Sequence, residues 1–340
     1  MILVTGANGF LGSTLVKHLL ARGVKKVACL VRPGASKSKL ENLAKSYPGA
    51  TVEVRNTGLA SAADIKPALE GVTLIYHLAA AMAGSPADMY MGTVVASKNL
   101  LEAISQRKAE GHAVPRIVLV SSFGVYGVAE LPRGALVNEE TPLEPHLEMR
   151  DVYSQTKLRQ ERLFRDYEPK LGLSLVITRP GVIYGPGGNA MSSRVGLDVF
   201  GVFLNMGLQN KLPLTYVENC ADAILAAGEN GRDGEVYNVV DDDLPTCSEY
   251  LKEYKKYVRD VPALPVPYAA AQLLTKAVSW YSKKSKGQLP AILTPYRTAA
   301  TWKGNRFEND KIKSLGWKPL VPTKEGIART MEWLKANPKK

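Results

Sequence analysis

The stretch LVTGANGFLG, residues 3–12, decides the fold. An apolar, partly β-branched run enters a turn holding Gly6, Gly9 and Gly12, and an apolar helical pattern follows at once. Glycine is needed where a backbone turns sharply, where it approaches a phosphate, and where a helix packs closely on a strand. The helix N-terminus then offers free N–H groups and the positive end of its dipole to a pyrophosphate. A merely tight turn accounts for one glycine. Three at this spacing, between strand and helix, point to a dinucleotide.

Working outward, strands are expected at 2–5, 26–31, 51–55, 74–79, 116–122 and 173–179, with helices near 10–22, 61–70, 92–108 and 151–170. Repeated β-α-β units predict an α/β fold, a Rossmann-type doubly wound parallel sheet with right-handed crossovers. After Arg179 the chain turns rich in Gly, Pro and Ser, as suits a loop over a ligand. Strand and helix patterns return at 214–229 and 234–240, and a closing helix sets Ile327, Met331 and Leu334 on one face. Residues 1–178 plus 214–240 are therefore expected to form the cofactor-binding domain. Residues 179–213 plus 241–336 are expected to form a smaller, discontinuous substrate lobe.

Composition narrows the function classes. The 45% apolar and 22% charged fractions are ordinary for a soluble globular chain. No apolar window reaches transmembrane length and no basic leader precedes the first strand, so neither a membrane span nor secretion is expected. Cys29, Cys220 and Cys247 are odd in number and far apart, which fits reduced thiols and a cytoplasmic protein. The four histidines lack ligand spacing, and no metal is expected. The net charge of +12 is unevenly placed: residues 250–340 hold nineteen Lys/Arg against six Asp/Glu. A solvated basic surface, an anionic substrate or peripheral contact with a membrane would each account for it. Nucleic acid is not expected, because no recognisable binding module accompanies the charge.

The end of the second strand reads the adenosine ribose. An acidic residue there favours NAD, and a basic one accommodates the 2′-phosphate of NADP. Val31 stands at the usual acidic place, Arg32 follows, and Lys37 and Lys39 lie nearby, so NADP is expected over NAD. Downstream, Tyr153 and Lys157 are four apart where a helix begins, and so share a face. A phenol with a pKa near ~10 needs an adjacent ammonium to work as an acid or base at neutral pH. Ser121 and Ser122 close the preceding strand, where a hydroxyl can hold a carbonyl or alcohol oxygen.

With these residues in place the chain resembles the extended short-chain dehydrogenase/reductases, the NAD-dependent epimerase/dehydratase family. TGANGFLG, HLAA (77–80), NLLEA (99–103), VSSFGVYG (120–127), YSQTK (153–157), RPGVIYGPG (179–187) and YVENCADAILA (216–226) carry the resemblance, which covers nearly the whole chain. It implies a Ser-Tyr-Lys site in which Ser122 is the matching serine, Tyr153 the general acid/base and Lys157 its activator. The cofactor set it implies is Gly6, Asn8, Gly9, Phe10, Leu11, Gly12, Arg32, Leu59, Leu78, Ala79, Ala80, Ser121, Tyr153, Lys157, Pro180 and Val182. Phe123, His146 and Tyr184 are candidate substrate contacts, each with a competing structural role. A homodimer through the helices near 92–108 and 151–170 is the implied assembly. The family's acidic residue after the third strand is missing, and Thr93 replaces a common asparagine.

Phe123 and Gly124 stand where family members that dehydrate or decarboxylate sugar nucleotides resemble one another in carrying acids, which argues against both reactions. The segment before YVEN and the tail resemble the 3β-hydroxysteroid, sterol and 3-oxoacyl reductase branch. The expected reaction interconverts a secondary alcohol and ketone on an apolar substrate. Tyr268, Leu273, Leu274, Val278, Trp280 and Tyr281 are candidates to line its pocket or to fill the core, with Lys276, Lys283, Lys284 and Lys286 flanking them. Two rivals stand beside this reading: a nucleotide-sugar epimerase with tightly bound NAD, and a non-catalytic NADP-sensing regulator.

Overall fold

The computed structural model describes residues 1–189, 191–284 and 294–338. Its strands are β1 Ile2–Thr5, β2 Lys26–Leu30, β3 Thr51–Arg55, β4 Leu74–His77, β5 Arg116–Val120, β6 Leu136–Val137, β7 Leu175–Pro180, β8 Val182–Tyr184, β9 Gly196–Val199, β10 Val202–Asn205, β11 Leu214–Tyr216, β12 Val236–Val239, β13 Ala263–Pro265 and β14 Arg306–Phe307. Its helices are α1 Phe10–Ala21, α2 Ser38–Ser46, α3 Ala62–Ile65, α4 Pro86–Tyr90, α5 Ala96–Ala109, α6 Val152–Leu171, α7 Val217–Asn230, α8 Cys247–Tyr257, α9 Tyr268–Lys284, α10 Pro295–Trp302, α11 Asp310–Lys313 and α12 Thr323–Ala336. Seven parallel strands form one sheet in the order β12-β7-β5-β4-β1-β2-β3. This is the expected doubly wound sheet. Its order reverses between β1 and β4, so the ligand crevice lies at the carboxyl ends of those two strands.

Both sheet faces are covered, and the strands alternate between them. Leu3, Ile75, Leu119 and Ile177 pack against Leu100 and Ile104 of α5 and Phe164 of α6. Val4, Tyr76 and Val118 pack against Leu15 and Leu19 of α1 and Ile224 of α7. A second apolar cluster gathers Tyr184, Tyr216, Tyr250, Met331 and Leu334 beneath the small strands that follow β7. All three cysteines are buried and free. No described helix is long and apolar enough to cross a membrane.

Three expectations change. Residues 38–46 form a helix the sequence pattern did not show, because only Leu40 of it is buried. The expected helix near 92–108 begins as a π turn over Met91–Val95 before α5. Within it Thr93 is fully buried, and its hydroxyl accepts a hydrogen bond from Ala81 N at 3.0 Å. Leu273, Leu274, Trp280 and Tyr281 stay out of the core: they are 69%, 55%, 63% and 51% exposed. The small and polar side of α9 faces inward instead, with Ala271 and Thr275 buried there. Lys286, expected to flank this stripe, lies outside the described residues.

His77, at the end of β4, binds the sheet to α5. Its Nδ1 lies 2.9 Å from Thr5 Oγ1 and its Nε2 lies 2.9 Å from Ser97 Oγ. The Ser97 hydroxyl is committed to the Thr93 carbonyl at 2.6 Å, so His77 Nε2 donates and Nδ1 accepts from Thr5. Burial first, and the Lys157 charge second, lower the His77 pKa from 6.5 to about 3. The unfolded chain therefore binds a proton that the native chain refuses between those values, and stability falls as pH falls through that window. The urea midpoint should drop between pH 7 and pH 4.5, and His77→Asn should flatten the drop. Equal slopes for both proteins in urea titrations would show that His77 carries none of the effect.

Candidate active site

The crevice is built from closely approaching backbones. Gly6 has φ +68°, and a Cβ there would sit 3.1 Å from Ala79 N. A Cβ on Gly12 would sit 2.1 Å from Gly6 O, so this position admits no side chain while the turn keeps its shape. The turn after β1 and the Leu78–Ala80 segment after β4 are thereby in contact. No side chain caps α1, and its first turn carries no acid. The first amides of a helix have no acceptor within it, so those of Phe10, Leu11 and Gly12 face the crevice's anion position with the dipole behind them. Asn8 Nδ2 donates to Ser36 O at 2.5 Å and ties the turn to the loop after β2. The Phe10 ring lies against Gly188, where a Cβ would approach it to 3.0 Å. These residues fit a dinucleotide.

Just after β2, Val31 is buried and Arg32 is exposed. The Arg32 stem lies beside Gly58, with half-buried Leu59 next in the chain. Lys37 directly precedes α2, with no side-chain capping bond, and Lys39 lies within it. Pro180 ends β7 and Val182 opens β8 on the other side of the crevice.

The hydroxyls gather at the end of β5. Ser122 Oγ accepts from Gly124 N at 3.1 Å, and the Ser122 hydroxyl is near enough to the Tyr153 phenol to act on its pKa. Asp151 caps α6 by accepting from Ser154 N at 2.9 Å, which fixes Tyr153 in the first turn. Burial holds the Tyr153 pKa above its ordinary value; the neighbouring Ser122 hydroxyl opposes this and the Asp151 charge adds to it. Lys157 Nζ donates to Val120 O at 2.6 Å and to Gln160 Oε1. Burial lowers its pKa to about 7, against the raising effect of Glu161. The ammonium thus rests on the end of β5 and on Gln160.

The other predicted residues have different surroundings. The Ser121 hydroxyl donates to Glu161 Oε2 at 2.7 Å, away from Tyr153's partner Ser122. Phe123 is buried, stacked on Phe307 at 5.5 Å and edge-on to Tyr126. Tyr184 is 2% exposed, and its hydroxyl donates to Thr323 O at 3.3 Å, so it is part of the lobe's core. His146 is half-exposed, with Nε2 3.0 Å from Glu130 and its ring edge-on to Tyr296.

Sequence reasoning missed the charges that hold this arrangement. Glu161 and Arg179 are a buried pair beneath Ser121, and the Arg179 guanidinium lies 4.7 Å from the Tyr126 ring centroid. Glu144 accepts from Arg150 at 2.7 Å, and Arg150 also reaches Ser154 Oγ at 3.2 Å. Arg297 of α10 donates to the Arg150 carbonyl at 3.0 Å, so α10 clamps the segment that presents Tyr153. Gln160 and Glu161 follow Lys157 by three and four residues, a spacing that marks one helix face and was available in the sequence. Arg194 is half-buried, and its guanidinium forms no ion pair or hydrogen bond among the described residues. Burial and the nearby Arg150 charge lower its pKa, while Asp151 is close enough to raise it.

Comparison with known proteins agrees with this geometry. The model of the NAD-dependent epimerase/dehydratase family matches residues 2–240. A mouse (Mus musculus) sterol-4-alpha-carboxylate 3-dehydrogenase, decarboxylating, is 25% identical over 97% of this chain and 89% of its own. Sterol demethylase protein B of Methylococcus capsulatus is 35% identical, over 54% of this chain and 52% of its own. Among solved structures, gox2253 superposes with a TM-score of 0.78 at 21% identity, covering 99% of this chain and 98% of that one. The UDP-glucose 4-epimerase of Thermus thermophilus, a complex with NAD, gives 0.69 at 24% identity and 99% coverage of both. The glycine turn, the reversal of strand order and the family match converge: the chain belongs to the NAD-dependent epimerase/dehydratase family and is an NAD(P)-dependent oxidoreductase of the extended short-chain dehydrogenase/reductase type.

Proposed function

We propose that this protein interconverts a secondary alcohol and a ketone on an apolar, sterol-like or 3-oxoacyl substrate. The observation that carries this reading is the Ser122–Tyr153 hydroxyl pair at the end of β5, with buried Lys157 one helical turn on. Tyr153 moves the proton at the substrate oxygen. Ser122 donates to that oxygen and stabilises the charge that develops on it. Lys157, one helical turn after Tyr153 and with its pKa lowered to about 7, would supply charge to this end of α6 and a donor for a ribose hydroxyl. Bound NAD(P) supplies or accepts the hydride. Residues 1–178 plus 214–240 would hold the cofactor, and 179–213 plus 241–336 the substrate.

The relatives named as sterol-carboxylate dehydrogenases support an apolar ring substrate. Their names also include decarboxylation, whereas Phe123 and Gly124 offer no base here. The two are compatible, because a β-keto acid formed by oxidation loses CO2 without an enzymic base. Unpaired Arg194 favours an anionic group on the substrate. A carboxylate on an apolar body satisfies it, and so does the diphosphate of a nucleotide sugar, which is the second reading.

Three measurements test this reading. Tyr153→Phe should lower kcat by at least about a hundredfold, the usual scale of a lost general acid, while cofactor affinity measured by calorimetry stays nearly unchanged; lost binding would contradict the assigned role. Arg32→Ala should weaken NADPH about tenfold or more and NADH little, in line with a lost charge-assisted contact. Equal losses would remove the NADP preference. Denaturing the purified protein should release no stoichiometric nicotinamide, because a dehydrogenase exchanges its cofactor. Release of one NAD per chain would shift the assignment to an epimerase.

A further inference from the structure

Helix α9 is amphipathic in the reverse sense. Its inner side carries Ala271 and Thr275, each 1% exposed, with half-buried Gln272, Ser279 and Ser282 beside them. Its outer side carries Leu273, Leu274, Val278, Trp280 and Tyr281, all exposed. At 3.6 residues per turn Leu273, Ala277, Trp280 and Lys284 follow one ridge, with Leu274 and Tyr281 beside it. Leu264 of β13, just before the helix, is 56% exposed as well. Helices of water-exposed surfaces turn the other face outward, and a patch of this kind marks a contact.

The charge around the patch selects the occupant. Residues 261–307 contain no Asp or Glu to neutralise the cations of α9. Lys276 and Lys284 lie on the exposed side, and Lys284 Nζ sits 5.1 Å from the Trp280 ring centroid. A second copy of this face would set cations against cations, which opposes a symmetric dimer. An anionic bilayer neutralises them, accepts the leucines, and places Trp280 and Tyr281 at headgroup depth. We propose that the outward face of α9 docks this protein on anionic lipid surfaces. The proposal is independent of the catalytic reading, because its test does not use turnover.

The full chain would be floated with vesicles of phosphatidylcholine alone and of phosphatidylcholine with phosphatidylglycerol. Flotation is expected only with the anionic vesicles and should be reversed by high salt. Leu273→Ser with Trp280→Ser, and separately Lys276→Glu with Lys284→Glu, should each weaken it by at least about tenfold. These positions are exposed, and unchanged melting temperatures would confirm that both variants fold. Absence of flotation overturns the proposal, as does flotation that the charge reversal leaves intact. So does a concentration-dependent dimer in ultracentrifugation that Leu273→Ser with Trp280→Ser dissolves, which would assign the face to a second copy.

Discussion

A lysine taken out of water at the end of β5 organises the site. Lys157 is buried, and an ammonium in that position is tolerated only where acceptors meet it. The Val120 carbonyl is one acceptor and the Gln160 amide oxygen the other. Gln160 then turns its Nε2 to Ser97 at 2.8 Å, and Ser97 takes the proton of His77. One chain of hydrogen bonds therefore ties α6 to α5, to β4 and, through Thr5, to β1. The π turn before α5 belongs to the same chain, since the Thr93 carbonyl receives the Ser97 hydroxyl. A neutral His77 is what this arrangement requires: a second positive charge there would be taken out of water and repelled by Lys157. Glu161 is committed elsewhere, to Arg179 and Ser121.

The sheet was legible because burial on both faces writes itself as short apolar runs, and the residues that close the runs are the ones that turn. Gly6 and Gly12 could be read for the same reason, as a backbone contact with no room for Cβ restricts the residue type outright. Tyr153 and Lys157 were legible by spacing and order. What surrounds them was not. Glu144 and Arg150 are six apart across a loop, and nothing local says that both leave water. The side chains of Phe123 and Tyr184 were readable as aromatic, but aromatic residues serve cores and pockets alike, and packing chose the core for both. Helix α2 escaped notice because one buried leucine leaves no periodicity. In α9 the stripe itself was visible, while its direction depends on what the neighbouring α10 offers, and that is a property of the folded lobe.

The distribution of charge separates two electrostatic tasks. The first 249 residues carry twenty-five Lys/Arg and twenty-six Asp/Glu. Within that near-neutral part, affinity for a dinucleotide must come from oriented groups: the free amides of α1, its dipole, and a few cations such as Arg32, proposed to meet the ribose. Such groups act at contact distance and keep the crevice from binding anions at large. The basic excess lies wholly after residue 249, and two of its lysines, Lys276 and Lys284, stand among the exposed leucines and aromatics of α9. Charge of that kind acts over a Debye length and without fine geometry, which suits a surface better than a small molecule. A chain that needed only to attract its cofactor would gain from placing its cations beside β2; Lys276 and Lys284 stand instead on the outward face of α9.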